Sequence, residues 1–567
     1  ETLRNSGGIH SAKTATLQGQ DLFNLGENSY LKAAERVIIK TRYLQNEGHI
    51  QGNSFTEITA KILLNNHFIS TLLGVLNINV EEFTNNASIT SNGGILSLIL
   101  TRGIQKGLLF SKGDMRIEVA ELLTILRGEN GKKYDIETNN GSIHFLGAGR
   151  VQNEGAVLAN QDQVINLSFD NHGALEGNRI RISGTHENSI TFDNQKQGRV
   201  KSLTTLEAQQ LEAFRNSGTV VSEKAFEIQA RNFTNSGNLT SVQSSGLVNS
   251  HHYTNTDKIE TQEDLTIQAS ESFDDRGSLN SFKKVLIQGQ GAQGAISGTV
   301  IGKESVEITS LGSRTWDLLI AQTAEVSIEK IFWIHGLNVL TIAGKALADI
   351  VQLHSIATLT TQAGSLLRGE TFAELKGIAN LNQHGDLETK SLYFNELGNA
   401  SVGTSGSIKA QNSATFKTIN FLNLMGKLLL AGEASFENIK ELMIAHGAIL
   451  HGKNLGSINK VGILTIAGEV LCETFSGSAI TRFLVLATGV FQSNRTLSLK
   501  TVESFENAGK VHSESDLEIS DVKRALQNTG RISSKGHMRI QGTGSFTNTN
   551  EILSGGDLNV TEWNGKL

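Results

Sequence analysis

The feature that most constrains this chain is the complete absence of proline from its 567 residues. At an average usage of ~5%, a chain of this length would carry about 28 prolines. Proline has no backbone N–H, so it is excluded from strands that have a neighbour on both sides. The turns and linkers of several ordinary domains would normally contain it. The sequence therefore favours one fold in which nearly every strand is central.

Composition and charge exclude several other classes. The 58 glycines argue against helical repeats, and an apolar fraction of 38% supplies enough core to make disorder unexpected. The net charge is −6 without a basic block, so neither nucleic acid nor an anionic membrane is an expected partner. No apolar run reaches the ~18 residues of a membrane-spanning helix. The single cysteine, Cys472, is interpreted as a small core residue.

A degenerate repeat, aromatic-x-Asn-x-Gly-x-aliphatic, recurs about every 20 residues. Its clearest copies place their paired signature residues at Phe214 and Asn216, Phe233 and Asn235, Tyr253 and Asn255, Phe273 and Asp275, Phe505 and Asn507, Leu526 and Asn528, and Phe546 and Asn548. Positions two apart share one face of a strand, and an even repeat returns each side chain to that face one coil later. The pattern predicts an all-β fold, a parallel β-helix (solenoid) of about 28 coils that forms an elongated rod.

Within this fold, the signature residues are predicted to form two structural ladders. Successive aromatic side chains would stack in the core, and successive asparagines would hydrogen-bond along the stack. Asp275 occupies the asparagine position of its repeat, so we interpret it as an amide substitute and not as a catalytic acid.

The coils are not equally regular along the chain. We predict coils over 1–310, with a less regular stretch at 61–135, and coils again over 383–567. The intervening residues 311–382 are either irregular coils or a loop-bearing insertion. This stretch holds Trp316 and Trp333, which form the candidate binding region. Both ends of the chain fall within repeat units, which indicates a segment of a longer protein.

Motifs that could carry chemistry are weak, and we expect no catalytic residue, cofactor or metal. Gly289 to Gly294 matches a dinucleotide-binding pattern, but β-like sequence follows it where a helix would have to begin. His251-His252 has no cysteine or third histidine nearby to complete a zinc site. Glu81-Glu82 and Asp274-Asp275 are the candidate paired carboxylates.

The repeats resemble those of filamentous haemagglutinins and related two-partner secreted exoproteins, including contact-dependent growth inhibition toxins. The resemblance is carried by Phe546 to Ile552 followed by Gly555 to Val560, and by the copies between 200 and 290. It implies a right-handed β-helical stalk, secreted or displayed at a bacterial cell surface through an outer-membrane transporter pore. Such a stalk presents adhesive or toxin-delivery regions to a receptor or glycan on a target cell, and it is not an enzyme.

Two alternatives stay open at this stage. A β-helical polysaccharide lyase or hydrolase would need outward acids and a basic residue on adjacent coils together with a loop-walled cleft, and no such cluster is apparent in the sequence. A phage tailspike, which binds glycans, would be a trimer. Fold alone does not choose among these functions.

Overall fold

The computed structural model describes residues 1–128, 133–185, 189–291, 293–311 and 315–563. All regular secondary structure in these residues is β-strand. The strands are parallel and stack as a β-solenoid of about 27 turns of roughly 20 residues each, which confirms the predicted parallel β-helix. The chain divides into two compact units, residues 1–270 with 275–282 and residues 271–274 with 283–567.

The first unit combines short strands of three to five residues with long strands of ten or eleven. They are β1 (Thr2–Asn5), β2 (Gly8–Ser11), β3 (Thr14–Asn24), β4 (Tyr30–Ala33), β5 (Arg36–Asn46), β6 (His49–Gly52), β7 (Phe55–Asn65), β8 (Phe68–Thr71), β9 (Val75–Asn85), β10 (Ser88–Ser91), β11 (Leu96–Gln105), β12 (Leu108–Ser111), β13 (Met115–Ile125), β14 (Ile136–Thr138), β15 (Ile143–Leu146), β16 (Arg150–Asn153), β17 (Ala156–Ile165), β18 (Ser168–Asn171), β19 (Ala174–Ser183), β20 (Ile190–Asn194), β21 (Arg199–Ser202), β22 (Leu206–Asn216), β23 (Thr219–Ser222), β24 (Phe226–Asn235), β25 (Asn238–Ser241), β26 (Gly246–Asn255), β27 (Lys258–Thr261), β28 (Leu265–Asp275, which runs through the division between the units) and β29 (Ser278–Ser281).

The second unit contains the longest strands. They are β30 (Lys284–Gly289), β31 (Gln293–Ile296), β32 (Thr299–Gly302), β33 (Ser305–Ser310), β34 (Asp317–Ile320), β35 (Glu325–Ile328), β36 (Ile331–His335), β37 (Val339–Ile342), β38 (Lys345–His354), β39 (Thr358–Thr361), β40 (Leu366–Lys376), β41 (Asn380–Gln383), β42 (Asp386–Val402), β43 (Ser407–Leu424), β44 (Lys427–Ile444), β45 (Ile449–Ile466), β46 (Glu469–Val485), β47 (Val490–Ser493), β48 (Leu497–Asn507), β49 (Lys510–Ser513), β50 (Leu517–Asn528), β51 (Arg531–Ser534), β52 (Met538–Gly542), β53 (Ser545–Asn548), β54 (Glu551–Ser554) and β55 (Leu558–Thr561).

A long strand turns a corner part-way along its length, as β7 illustrates. Thr56, Ile58 and Ala60 are buried at a spacing of two, and the alternation then changes phase so that Leu63 and Asn65 are buried. The paired strand β9 repeats the same burial pattern one coil later, with no shift of register. Each coil therefore directs an equivalent set of side chains inward.

The core of the first unit contains an amide ladder in which each side chain donates to the next coil. Asn216 Nδ2 donates to Asn235 Oδ1 at 2.8 Å, and Asn235 donates in the same way to Asn255 at 2.8 Å. Asn255 Nδ2 then donates to Asp275 Oδ1 at 2.7 Å. Because every donor points in the same direction, a carboxylate, which only accepts, can receive the bond from the preceding asparagine.

The aromatic side chains two residues before the amides form a second column in this unit. Phe214 and Phe233 stack with ring centroids 5.9 Å apart, and Phe233 and Tyr253 stack at 5.3 Å. These rings are fully buried. Offset aromatic stacking adds to the stabilisation from burial alone.

In the second unit, aliphatic residues replace the amide at most coils. Ile342 and Ile444 take the place that asparagine has in the repeat, and both are buried. The corner that follows is closed by a backbone hydrogen bond between residues three apart, as from Ala448 N to Ala445 O at 3.0 Å. The signature returns near the end, where Asn507 donates to Asn528 at 2.7 Å and Asn528 to Asn548 at 2.6 Å.

The long strands of the second unit contain a corner with a residue of positive φ. The residues at this corner are Glu396, Thr418, Asn438, Lys460, Ala479, Thr501 and Asp521, with φ between 53° and 56°. Flanking residues pair in register from coil to coil, so the left-handed residues form one column. Such a conformation is uncommon for residues other than glycine and sets the direction of the turn.

The described parts of the two stretches predicted to be less regular also pair in parallel. Within 61–135, β9 pairs with β11 from Leu96 to Gln105, and 129–132 lie outside the described residues. Within 311–382, β37 pairs with β39 and β39 with β41, and 312–314 lie outside the described residues. The repeat signature is weak in the second stretch because its signature positions hold aliphatic side chains such as Leu340 and Leu359.

Candidate functional site

The two tryptophans of the candidate binding region occupy different environments. Trp316 is only 2% exposed, and its ring meets Phe273 edge to face with centroids 6.0 Å apart. A Cβ added at Gly289 or Gly294 would lie within 2.3 Å of this indole, so these glycines make room for it. Their role is packing, and Ala292 of the same motif lies outside the described residues. The interior position of Trp316 leaves Trp333 alone as the surface tryptophan of the predicted region.

Trp333 lies half-buried on the outer face of β36. Its ring stacks on His335 with centroids 4.3 Å apart and an interplanar angle of 28°. Register places Glu307 beside Trp333 on one neighbouring coil and Gln352 beside it on the other. The outer face around this indole therefore combines one aromatic surface with several hydrogen-bonding groups.

Hydrogen bonds fix the polar groups around Trp333. His335 Nε2 lies 3.3 Å from Glu307 Oε1, and Lys284 also contacts this carboxylate. Burial opposes ionisation of Glu307, but the hydrogen bonds from Lys284 and His335 prevail and lower its pKa. On the other side, His354 Nε2 lies 3.1 Å from Glu374 Oε2. These side chains are bonded to one another, whereas the indole N–H of Trp333 has no hydrogen-bond partner among the described residues.

A second cluster of polar side chains lies in the first unit, in a groove of about 510 Å³. We call it the Asp–Arg groove and define it by Arg150, Ser168, Asp170, Thr191, Asp193 and Arg215. Asp170 on β18 pairs in register with Asp193 on β20, which in turn pairs with Arg215 on β22. Arg150 forms an ion pair with Asp170, and Asp170 is only 6% exposed.

Two carboxylates on adjacent coils are an unfavourable arrangement unless something compensates them. Burial raises the pKa of Asp193, and the charge of Asp170 raises it further against the opposing effects of Arg215 and Arg150. At several other positions of the outer surface, an acid meets a base on the neighbouring coil. Glu82 accepts from Arg102 at 2.5 Å, for example.

The Asp–Arg groove is a cluster of outward acids and bases on adjacent coils that is not apparent in the sequence. The available signal was an aspartate between the aromatic and the asparagine of two consecutive repeats, Phe169-Asp170-Asn171 and Phe192-Asp193-Asn194. The ladder bond from Asn171 to Asn194 spans 23 residues, whereas the bond from Asn153 to Asn171 spans 18. This variable spacing conceals the adjacency in the sequence.

The other sequence candidates lie apart from this groove. Glu82 is paired with Arg102 as described, and Asp275 belongs to the amide ladder. His251 and His252 lie together in β26. Cys472 is 3% exposed, and burial raises the pKa of its thiol to about 12, so it is not an activated nucleophile at neutral pH.

Comparisons with protein-family models, curated protein sequences and solved structures gave no match to this chain. Over the described ranges, no group of three or more His, Cys, Asp or Glu side chains is arranged to hold a metal ion. The same residues include no helix of the length and hydrophobicity needed to cross a membrane.

Proposed function

We propose that this chain is a non-catalytic stalk segment of a large secreted bacterial surface protein of the type its repeats resemble. The observation that carries the proposal is that both units consist of successive coils of parallel strands. Each coil contacts chiefly its neighbours, so such a fold gains length without acquiring a new core. Its function is then to hold adhesive or toxin-delivery regions out towards a target cell.

The proposed route of export is an outer-membrane transporter pore. A chain that folds by adding one coil to the last needs few distant contacts and can fold as it emerges. It has one cysteine, which is buried, so its folding requires no intramolecular disulfide. The partners in this proposal are the pore and a receptor or glycan on the target cell.

The Asp–Arg groove favours a second candidate function, that of a β-helical polysaccharide lyase or hydrolase. Asp170 and Asp193 lie on adjacent coils with Arg150 and Arg215 beside them, which is the type of cluster such an enzyme requires. We rank the enzyme function second because the groove has no described loop around it and because coils continue along the chain before and after the groove.

The experiment that separates these functions measures cell binding and glycan turnover with the same purified chain. Labelled chain is incubated with bacterial and eukaryotic cells, with unlabelled chain as competitor, and reducing ends are measured after incubation with a polysaccharide panel. A stalk with an adhesive patch gives saturable, competed binding and no new reducing ends. A bare spacer gives neither signal, and catalytic release of reducing ends would contradict the proposal.

A further inference from the structure

The Asp–Arg groove places a buried and a half-buried carboxylate in register, whereas the acidic pair Glu207 and Glu227 on β22 and β24 has Glu227 exposed and Glu207 paired with Arg181. An arginine or lysine opposite Asp170 on the next coil would compensate its charge. Glu388 is an example of that arrangement, because it accepts from both Arg368 and Lys409. Instead Asp170 faces Asp193 in register. Like charges at directly paired strand positions are destabilising, and such local conflicts concentrate at functional sites.

Two aspartate–arginine pairs lie in the groove, and they differ in whether the two side chains are bonded to each other. Arg150 is bound to Asp170. Asp193 and Arg215 are neighbours in register, but among the described residues neither side chain forms a hydrogen bond or a close ion pair. A half-buried carboxylate and a guanidinium thus lie side by side with unused acceptors and donors.

The chemistry of the lining selects one class of ligand. No described group of three ligating side chains is present for a metal ion, and the polar lining offers little to an apolar ligand. The hydroxyl groups of Ser168 and Thr191 add to the donors and acceptors. A sugar, whose adjacent hydroxyls donate to a carboxylate and accept from a guanidinium, uses all of these groups at once.

The balance of charges in the groove favours neutral sugars over acidic ones. Asp170, Asp193 and the exposed Glu121 also lining the groove bring three carboxylates, against the guanidinium groups of Arg150 and Arg215. Since Arg150 is committed to Asp170, one arginine would have to balance an acidic ligand beside two further acids. This balance disfavours a uronate and favours an uncharged glycan.

We propose that the Asp–Arg groove binds a neutral glycan, with Asp193 accepting from adjacent sugar hydroxyls, Arg215 donating to one of them, and the Arg150–Asp170 pair holding the groove wall. The groove crosses four strands in succession, from β16 to β22, so its lining can contact more than one sugar unit of a chain. The inference goes beyond the stalk proposal and does not depend on it, because the groove would bind sugar wherever the coils fold.

The test uses the full chain and titration calorimetry with defined oligosaccharides. The probes are neutral hexamers of glucose, mannose and galactose, with hexagalacturonate as the acidic comparison. We expect binding of at least one neutral hexamer, weakened about 10- to 100-fold by Asp193→Asn and by Arg215→Gln, because hydrogen bonds to charged groups contribute ~1.5 to 3 kcal/mol.

The control variant is Asp274→Asn, which changes the residue at the same repeat position, between Phe273 and Asp275, outside the groove. It should bind as the unmodified chain does, and circular dichroism should show that all three variants keep their strands. Absence of binding to every neutral hexamer, binding of hexagalacturonate alone, or binding unchanged in both groove variants would overturn the inference. Release of reducing ends that Asp193→Asn abolishes would support the sugar site and contradict the non-catalytic part of the proposed function.

Discussion

At the scale of single residues, the amide ladder explains why asparagine recurs in the repeat. Asn235 accepts from Asn216 and donates both to Asn255 and to the carbonyl of Lys258. A buried amide in this column satisfies side chains on two coils and a backbone group at the corner. Such fully satisfied buried networks specify one register, and breaking one link leaves polar groups unpaired on both sides.

Replacing Asn235 by leucine should lower the free energy of unfolding by ~1 to 3 kcal/mol, because the neighbouring amides lose a donor and an acceptor without access to water. Urea denaturation of the purified chain measures this change. Thr234→Ala, on the outer face of the same strand, is the matched control and should change stability little. Equal effects from the two substitutions would contradict a structural role for the ladder.

The burial of Tyr253 leads us to expect a loss of stability at alkaline pH. Burial raises its pKa well above the usual value, and the nearby charge of Asp275 raises it further. The folded pKa therefore exceeds the unfolded value of about 10, so the stabilisation is fully present below pH 10 and is lost as the pH rises through the folded pKa. Between pH 9 and 11, the unmodified chain should lose more unfolding free energy than Tyr253→Phe.

The control for this pH experiment is Tyr393→Phe, because Tyr393 lies on the outer face of β42. It should follow the unmodified chain across the same pH range. Identical pH dependence in the unmodified chain and in Tyr253→Phe would show that the buried phenol does not contribute.

At the scale of elements, the sequence predicted the coils where the buried columns are aromatic and amide. It was less informative where Ile342 or Ile444 takes the amide position, since an aliphatic side chain gives no signature of a ladder. The left-handed corners were also not predicted, because residues as different as Lys460 and Thr501 occupy them. The Asp–Arg groove was missed for a related reason, since its adjacency depends on the unequal lengths of neighbouring coils.

The left-handed corner predicts a stabilising substitution. Thr418 is β-branched and has φ of 53°, whereas the next coil has Asn438 at the equivalent position with φ of 56°. Asparagine tolerates this conformation better, so Thr418→Asn should raise the free energy of unfolding by ~1 kcal/mol. Thr415→Asn, at a position of β43 without positive φ, is the control and should give no gain. A loss of stability in Thr418→Asn would contradict this explanation of the corner.

At the scale of the whole molecule, the stalk proposal depends on coils being interchangeable units. In the first unit, β24 pairs with β26 and β25 with β27, so the chain advances by one coil and returns to the same registers. Stability in such a fold is close to a sum of coil and nearest-neighbour contributions. Length is then free to vary while the cross-section stays the same.

The most direct test removes residues 236–255, one coil, and compares this variant with removal of 246–255, about half a coil. The first deletion brings Thr256 into the place of Ser236, so Asn235 meets Asp275 in the ladder and every column keeps its face. We expect this variant to keep its β-strand circular dichroism and cooperative urea unfolding, and the half-coil variant to lose both. Folding of both variants, or failure of the one-coil variant alone, would contradict a solenoid of interchangeable coils.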